Sequence, residues 1–198
     1  MSRAWLAVSL VLSSCVPWTV RPIEKQGDSS AADHAFDANA YVDSIWDSKV
    51  MPAVAGGAAD LAGMPRGRRE DLPAAFLVKG SGRVLSVDTS SLTGLMWIDL
   101  APYDGHADAA LEIGPVLRGT ALRDALPFIQ FSQFVNQLEF ARVGNALNDR
   151  AWKTTLASLP KKGLVGSTVA FAGAASRTAP DGMLEILPVQ LTVTWVSK

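Results

Sequence analysis

The chain has 198 residues, of which 48% are hydrophobic and 19% charged, and its formal net charge is −1 at pH 7. This composition can supply one sizeable hydrophobic core or two small ones, and it is unlike that of a disordered protein. Because the basic residues are scattered and the net charge is close to zero, the electrostatic attraction that drives nucleic-acid binding is missing, and we exclude nucleic acid as a partner.

The N-terminus carries the pattern of an exported protein. Arg3 precedes a short apolar run, residues 4–12, which is about half as long as a membrane-spanning helix needs to be. Small residues then lead directly to Cys15 in the sequence LSSC. This arrangement resembles a bacterial lipobox, and the alternative is an ordinary secretory signal peptide with an unrelated cysteine.

The lipobox resemblance implies a defined maturation. It implies a lipoprotein signal peptide over residues 1–14, cleavage before Cys15, a thioether-linked lipid on Cys15 and acylation, for example with palmitate, of the new amino terminus. Several acyl chains hold a protein on a bilayer where one chain alone would be marginal. We therefore expect a periplasmic protein anchored by membrane lipid, in either the inner or the outer membrane.

Residues 15–36 are predicted to form a lipidated tether, because proline, glycine, serine and alanine are mixed there with scattered charges. The globular body is predicted to span residues 37–198. Since Cys15 is the only cysteine in the chain, an internal disulfide is excluded and the body must be stabilised by its core alone.

A helix is predicted at the start of the body, within an N-terminal helical region that covers residues 37–72. Asp37 or Asn39 can cap this helix, and Pro52 is expected to end or bend it. Its apolar side chains recur at helical spacing, which predicts a buried face rather than a groove for a partner. These side chains are Val42, Ile45, Trp46 and Val50.

Strands are predicted on both sides of a central helical segment, residues 129–160. Residues 73–128 are expected to form a first antiparallel sheet and residues 161–198 a second. In each sheet, apolar runs are separated by polar turns that contain glycine. The runs are 76–78, 83–87, 95–100 and Ala110 to about Arg118 in the first sheet, and 168–172, 184–186 and 190–196 in the second.

The central stretch combines a short helical turn with a longer helix. Thr120 can cap the turn, and Pro127 prevents its extension. The longer helix is predicted from Ser132 to about Leu147 and is apolar on more than one face. We therefore expect two layers of sheet to enclose it.

The two groups of strands share one order of strand, polar glycine turn and strand. GRVLSVDTSSLTGLMWIDL in the first group aligns with STVAFAGAASRTAPDGMLEILPV in the second. This repetition favours a mainly β protein with helices, of the α+β class. Two small OB-like antiparallel barrels would be joined by the central helical segment and preceded by the N-terminal helix. Hairpin chemistry alone is the alternative source of the likeness.

Arg118, Arg123 and Asp124 are the best candidates for a ligand site. Arginine forks bind carboxylates or sugar hydroxyls, and a nearby carboxylate orients hydroxyl groups in sugar pockets. The predicted ligand of such a module is a sugar or a sugar acid. The alternative, which the sequence favours, is an internal ion-pair network in which Asp124 or Glu139 neutralises the arginines where strand and helix meet. Asn136 and Gln137, in the following helix, either line the same pocket or satisfy backbone groups.

Patterns that would carry catalysis or bind a metal are weak or missing. Asp104, His106 and Asp108 alternate as metal ligands can, but with His34 as the only other histidine a polar hairpin tip accounts for them better. The sequence has no GxSxG or HExxH motif and no cysteine nucleophile in the mature body. We therefore predict no catalytic residue, no metal and no cofactor, and a protein that is not an enzyme. A carbohydrate-active enzyme with paired carboxylates drawn from Asp99, Asp104 and Asp108, which are near one another in sequence, is the remaining alternative.

Several segments together carry a resemblance to a known family. They are AYVDSIWDSKVMPA, VKGSGRVLSVDTSS, IGPVLRGTALRDALPFIQF and FVNQLEFARVGNALN. They resemble an uncharacterised bacterial family of predicted periplasmic lipoproteins, commonly encoded beside sugar ABC transporters of the ribose and xylose type. The resemblance implies a lipid-anchored accessory protein in carbohydrate uptake that docks a transporter component or its solute-binding protein. It brings no catalytic residues with it.

Overall fold

The structure, a computed structural model, describes residues 36–64, 72–177 and 183–195. The predicted signal peptide, residues 1–14, and all of the predicted tether except Phe36 lie outside the described residues. From Phe36 onward the chain groups into a single unit. Its buried apolar side chains form one cluster that joins the helices to the strands.

The N-terminal helix begins where the sequence predicts. The Asp37 Oδ1 atom accepts hydrogen bonds from the backbone N–H groups of Asn39 (2.9 Å) and Ala40 (3.1 Å), and helix α1 (Ala38–Ile45) follows. This capping satisfies two of the N–H groups that a helix start leaves unpaired. The predicted apolar stripe is confirmed as core, since Val42, Ile45, Trp46 and Val50 are all buried.

The helix does not end at Pro52. The chain continues from α1 through a π-helical turn, Trp46–Val50, into helix α2 (Met51–Gly57). Pro52 is the second residue of α2 and directly follows the π-helical turn, where the regular α-helical hydrogen-bond ladder that proline cannot join is interrupted. Of the two outcomes that the sequence allowed at Pro52, an end to the helix is therefore wrong; the chain instead departs from α-helical geometry in the π-helical turn just before it.

The described residues contain one six-stranded sheet. Its strands take up most of the segments that the sequence marks as apolar runs. The runs 76–78 and 83–87 are joined in one strand, as are 184–186 and 190–196, whereas the strand predicted to reach about Arg118 ends at Glu112. The strands are β1 (Ala59–Asp60), β2 (Ala75–Asp88), β3 (Leu95–Leu100), β4 (Ala109–Glu112), β5 (Thr168–Ser176) and β6 (Leu184–Thr194).

Five of these strands form a closed ring. Hydrogen bonding passes from β2 to β3, β4, β6 and β5 and returns to β2. The β4–β6 pairing is parallel and the other pairings in the ring are antiparallel. Strand β1 lies outside the ring and pairs in parallel with β2. A ring of this kind leaves few backbone groups unpaired along its strands.

The prediction of two separate sheets is therefore wrong, although the predicted α+β class is confirmed. Residues 75–83 of β2 pair with residues 168–176 of β5, and β4 pairs with β6. Each pairing joins a strand of the predicted first sheet to a strand of the predicted second. Local sequence patterns mark where strands lie but not which strands pair across 80 or more residues.

Strand β2 is continuous where the sequence predicts two strands separated by glycines. Its first half pairs with β5 and its second half with β3, and both partners meet it at Gly82 and Arg83. A Cβ atom on Gly82 would lie 2.7 Å from the backbone oxygen of Asp99. The glycine thus permits a close approach of two strands rather than a turn.

The helical middle of the chain differs from its prediction at both ends. Helix α3 (Ala121–Asp124) forms as predicted, but the longer helix, α4 (Gln137–Ala151), begins five residues after Ser132. Its cap is Asn136, whose Oδ1 accepts the N–H of Glu139 at 2.9 Å. The Glu139 carboxylate accepts the N–H of Val135 in return, at 3.0 Å. This reciprocal capping fixes the helix start.

Helix α4 is buried along one face only, so the prediction that two sheets enclose it is also wrong. It packs against α1 and α3, and an ion pair joins Arg150 on α4 to Asp43 on α1 at 2.8 Å. Leu138 is 60% exposed. Among the described helices, none is both long enough and apolar enough to cross a membrane.

Candidate functional site

A cavity of about 520 Å³ opens at one end of the strand ring. The pairings of Ala75 with Ser176, of Ser176 with Glu185 and of Glu185 with Ala110 bring four strands together there. This volume lies within the usual range of small-ligand pockets. Ten residues line the cavity: Ala74, Ala75, Glu112, Arg118, Gly119, Thr120, Ala121, Asp124, Ser176 and Glu185.

Glu112, the last residue of β4, is the most deeply buried acidic group in the lining, at 4% exposure. Its Oε2 atom accepts a hydrogen bond from the backbone N–H of Arg118 at 2.9 Å. Burial raises the pKa of Glu112 to about 7, and the negative charge of Glu185 adds to this rise. The Arg118 N–H bond and guanidinium oppose it. Near neutral pH the Glu112 carboxyl group therefore offers both a hydrogen-bond donor and an acceptor.

The loop that carries Arg118 is held in place by groups from outside the cavity. The Asn148 Nδ2 atom, on α4, donates to the backbone oxygens of Leu117 (3.3 Å) and Gly119 (3.0 Å). The Lys161 Nζ atom donates to the backbone oxygen of Ile113. Burial lowers the pKa of Lys161. These contacts fix the loop before any ligand arrives.

Helix α3 supplies Asp124, whose carboxylate is oriented by two neighbours. The Thr120 Oγ1 atom donates to Asp124 Oδ2 at 2.5 Å, and the Arg123 guanidinium bonds Asp124 Oδ1 at 2.7 Å and 2.9 Å. Arg123 also lies 3.8 Å from the centre of the Phe140 ring and donates to the Phe140 backbone oxygen at 3.2 Å. Arg123 thereby ties α3 to α4.

The structure separates the predicted site residues into two groups. Arg118 and Asp124 line the cavity. Arg123 lies outside the lining and forms the ion pair with Asp124, as in the predicted internal network. Asn136 caps α4, and Gln137 is the exposed first residue of that helix; neither lines the cavity.

The sequence analysis missed four polar members of the lining: Glu112, Thr120 as a cavity residue, Ser176 and Glu185. Glu112 follows three apolar residues of β4, and every residue of that strand is buried. Glu112 and Glu185 come from strands 72 residues apart in sequence whose parallel pairing only the folded ring reveals. We find no local signal in the sequence that marks either glutamate.

The acidic residues considered for a metal or for catalysis hold the β3–β4 loop instead. Asp99 accepts the N–H of Gly105 at 2.8 Å, and Asp108 accepts the N–H of Leu100 at 2.7 Å. Asp104 accepts the N–H of His106 at 2.9 Å. In the described parts of the chain, no group of three or more His, Cys, Asp or Glu side chains is placed to bind a metal ion.

A second, more open groove of about 670 Å³ runs over β2, β5 and β6. Its polar side chains include Lys79, Gln190 and Thr192. Among the described residues of its lining, the acidic residue is Asp60, which is exposed, whereas Glu112 is buried. The cavity at the end of the ring is therefore the better candidate for a binding site.

Comparison with known proteins gives a family and a fold. A family model described as predicted periplasmic lipoprotein (DUF2291) matches residues 5–76 and 66–192. A crystal structure of an OB-fold protein from Thermotoga maritima MSB8 matches with a TM-score of 0.63 and 15% identity, over 81% of this chain and 100% of that one. At this identity the likeness concerns the fold alone. No curated protein matches the chain.

Proposed function

Because this chain belongs to the family of predicted periplasmic lipoproteins, we propose that its body, held at a membrane by lipid on Cys15, binds a small neutral polyhydroxylated ligand such as a sugar. The ligand would occupy the cavity lined by Glu112, Arg118 and Asp124. The observation that carries this proposal is a pre-fixed cavity of about 520 Å³ that holds a buried carboxyl group beside an arginine.

The charges of the lining favour a neutral ligand over a sugar acid. Among the described residues of the lining, Glu112, Asp124 and Glu185 are acidic and Arg118 is the single basic one. An anionic ligand would meet more negative than positive charge. The hydroxyl groups of a neutral sugar can donate to the carboxylates and accept from the Arg118 guanidinium.

Binding without chemical conversion is the activity we propose. The sequence lacks the usual hydrolase motifs, and the contacts around Arg118 and Asp124 fix the geometry of hydrogen-bonding groups. A physiological setting in sugar uptake follows from the resemblance noted in the sequence. In that setting the protein is an accessory to a sugar ABC transporter or to its solute-binding protein. Crosslinking the lipidated protein in its own envelope, followed by identification of the captured proteins, tests this association.

Thermal unfolding of the protein with a panel of ligands tests the binding proposal. A neutral pentose or hexose at about 100 times its Kd should stabilise the folded state by ~2.7 kcal/mol, which is about 5–10 °C for a domain of this size. Sugar acids at the same concentration should give little or no shift, since the cavity lining is acidic.

Two arginine variants provide the control for this experiment. Arg118→Ala should abolish the ligand-induced shift while leaving the unfolding temperature of the free protein nearly unchanged. Arg142→Ala, at an exposed position on α4 outside the cavity lining, should keep the full shift. If no neutral sugar stabilises the protein, or if Arg118→Ala responds like Arg142→Ala, the cavity is not a sugar site.

A further inference from the structure

An apolar surface patch lies in the segment that leads into α4. The described residues contain eight large hydrophobic side chains that are exposed, and three of them lie between positions 131 and 138. These are Phe131 at 48%, Val135 at 88% and Leu138 at 60% exposure. We call Phe131, Val135 and Leu138 the apolar patch. Exposed apolar side chains grouped in this way mark contact surfaces more often than single ones do.

Contacts between aromatic rings hold Phe131, one residue of the patch, in position. Phe131 packs edge-on against Phe140, with ring centres 5.6 Å apart, and Phe134 packs against Phe140 at 5.5 Å. Phe134 is itself buried. Phe131 therefore rests on a packed aromatic cluster, while Val135 and Leu138 are more exposed than Phe131.

The chain enters the body at this same cluster. Phe36, the first described residue, packs edge-on against Phe134 with ring centres 5.4 Å apart, and Tyr41 lies 5.5 Å from Phe134. Phe134 is the immediate neighbour of Val135 in the patch. The described part of the chain therefore begins in contact with Phe134, the residue that precedes Val135.

The segment around the patch is free of charge. Residues 127–138, PFIQFSQFVNQL, contain no Asp, Glu, Lys or Arg, and their polar side chains are amides and one hydroxyl. The next residue, Glu139, turns its carboxylate onto the backbone N–H of Val135. Burying the patch in an apolar medium would therefore desolvate no charged group from within this segment.

From these observations we propose that the apolar patch contacts the lipid bilayer, so that the body rests on the membrane by this face. The occupant is the interfacial region of the bilayer, where apolar side chains insert beside uncharged polar ones. Three side chains give weak attachment alone. Lipid on Cys15 would keep the body close to the bilayer, which raises the effective concentration of the membrane at its surface. Weak contacts at the patch would then be enough to hold this face on the membrane.

A fluorescent label at Val135 in the lipidated, full-length mature protein tests this proposal. Cys15 is the only cysteine in the chain, and its sulfur is used by the lipid, so Val135→Cys introduces the single free thiol. The thiol would carry an environment-sensitive fluorophore, and the protein would be reconstituted into phosphatidylethanolamine and phosphatidylglycerol vesicles. Val165→Cys, at a valine that is 61% exposed in the turn before β5, is the matched control.

We expect the fluorescence emission of the Val135 label on the lipidated protein in vesicles to be shifted to shorter wavelength. The reference is the same label on the unlipidated protein in buffer without detergent. A lipid-borne quencher near the headgroups should quench it more strongly than one at the end of the acyl chains, because interfacial groups lie only about 5–10 Å deep. The Val165 label should show neither effect.

Two results would overturn the proposal. One is an unchanged spectrum at Val135, or equal responses at Val135 and Val165, in pure lipid vesicles. The other is a response at Val135 that appears only when envelope proteins are added, which would assign the patch to a protein partner. Neither result bears on the sugar cavity, since the patch and the cavity lining share no residue.

Discussion

The Glu112 carboxyl group loses most of its contact with water when the protein folds, and burial raises its pKa from 4.5 to about 7. Between these two pH values the folded protein holds the proton of Glu112 while the unfolded chain has released it. The folded state thus binds more protons, and the free energy of unfolding falls as the pH rises from about 4.5 to 7. Below and above this window Glu112 contributes no pH dependence.

Replacing Glu112 with glutamine should remove this pH dependence. Glutamine keeps the size and one acceptor oxygen for the Arg118 N–H but cannot ionise. The difference in free energy of unfolding between Glu112→Gln and the natural protein should therefore depend on pH. From pH 5 to pH 8 it should change in favour of the variant by up to about 3 kcal/mol. Urea unfolding at both pH values measures this difference.

An exposed carboxylate gives the comparison that this experiment needs. Asp149→Asn, on the exposed side of α4, should change stability by the same small amount at pH 5 and pH 8. If Glu112→Gln also shows no change with pH, the Glu112 carboxyl group is not buried in the way described, and its place in the proposed site is wrong.

At the level of single residues, the sequence predicted the closeness of Arg118 and Asp124, because the residues between them favour a turn and a short helix. Arg118 and Asp124 flank a glycine, a cap residue and a short helix, so their closeness follows from local geometry. Glu112 and Glu185 meet the cavity only because β4 and β6 pair in parallel. Asn148 is polar in an apolar helix, and only the fold shows that it binds the loop of Leu117 and Gly119.

At the level of helices, Arg123 decides how α3 meets α4. Its guanidinium joins the carboxylate of Asp124, the backbone oxygen of Phe140 and the Phe140 ring. Arg118, five residues earlier, has an exposed side chain. The two arginines that the sequence could not tell apart are therefore expected to respond differently to substitution.

Arg123→Ala should lower the free energy of unfolding by about 2 kcal/mol, because it removes a stacked cation and a hydrogen bond to a partly buried backbone oxygen. Arg123→Lys should recover only part of this loss, since an ammonium group cannot reproduce the planar fork. Denaturant unfolding measures both. Arg118→Ala and Arg142→Ala should stay within about 0.5 kcal/mol of the natural protein. An Arg123→Ala variant as stable as Arg142→Ala would show that the guanidinium does not join the two helices.

Helices and strands were predictable to the extent that their signals are local. The Asp37 cap and the 3.6-residue apolar spacing are contained within α1, and both were correct. The start of α4 was misplaced because Ser132 and Asn136 are equally good caps in isolation. The reciprocal contact with Glu139 selects Asn136.

At the level of the whole molecule, the closure of the strand ring could not be predicted from the sequence. The glycines in β2 suggested a break between two strands, yet β2 is continuous, and both β3 and β5 pair with it at Gly82. The apparent repetition of strand, turn and strand arises because both halves contribute hairpin-like segments to one ring. Pairings between the halves carry no signature in either half alone.

A closed ring with one core should unfold as one cooperative unit. Strand β2 pairs with β3 in its own half and with β5 in the other, and the buried side chains of both halves belong to one cluster. Calorimetry of the mature protein should therefore show a single transition with equal calorimetric and van't Hoff enthalpies. A fragment of residues 36–128 should lack stable structure by circular dichroism, because residues 75–83 of β2 lose all their β5 partners and β4 loses β6. Two separate transitions, or a fragment that folds alone, would contradict the single cooperative ring and support two independent sheets.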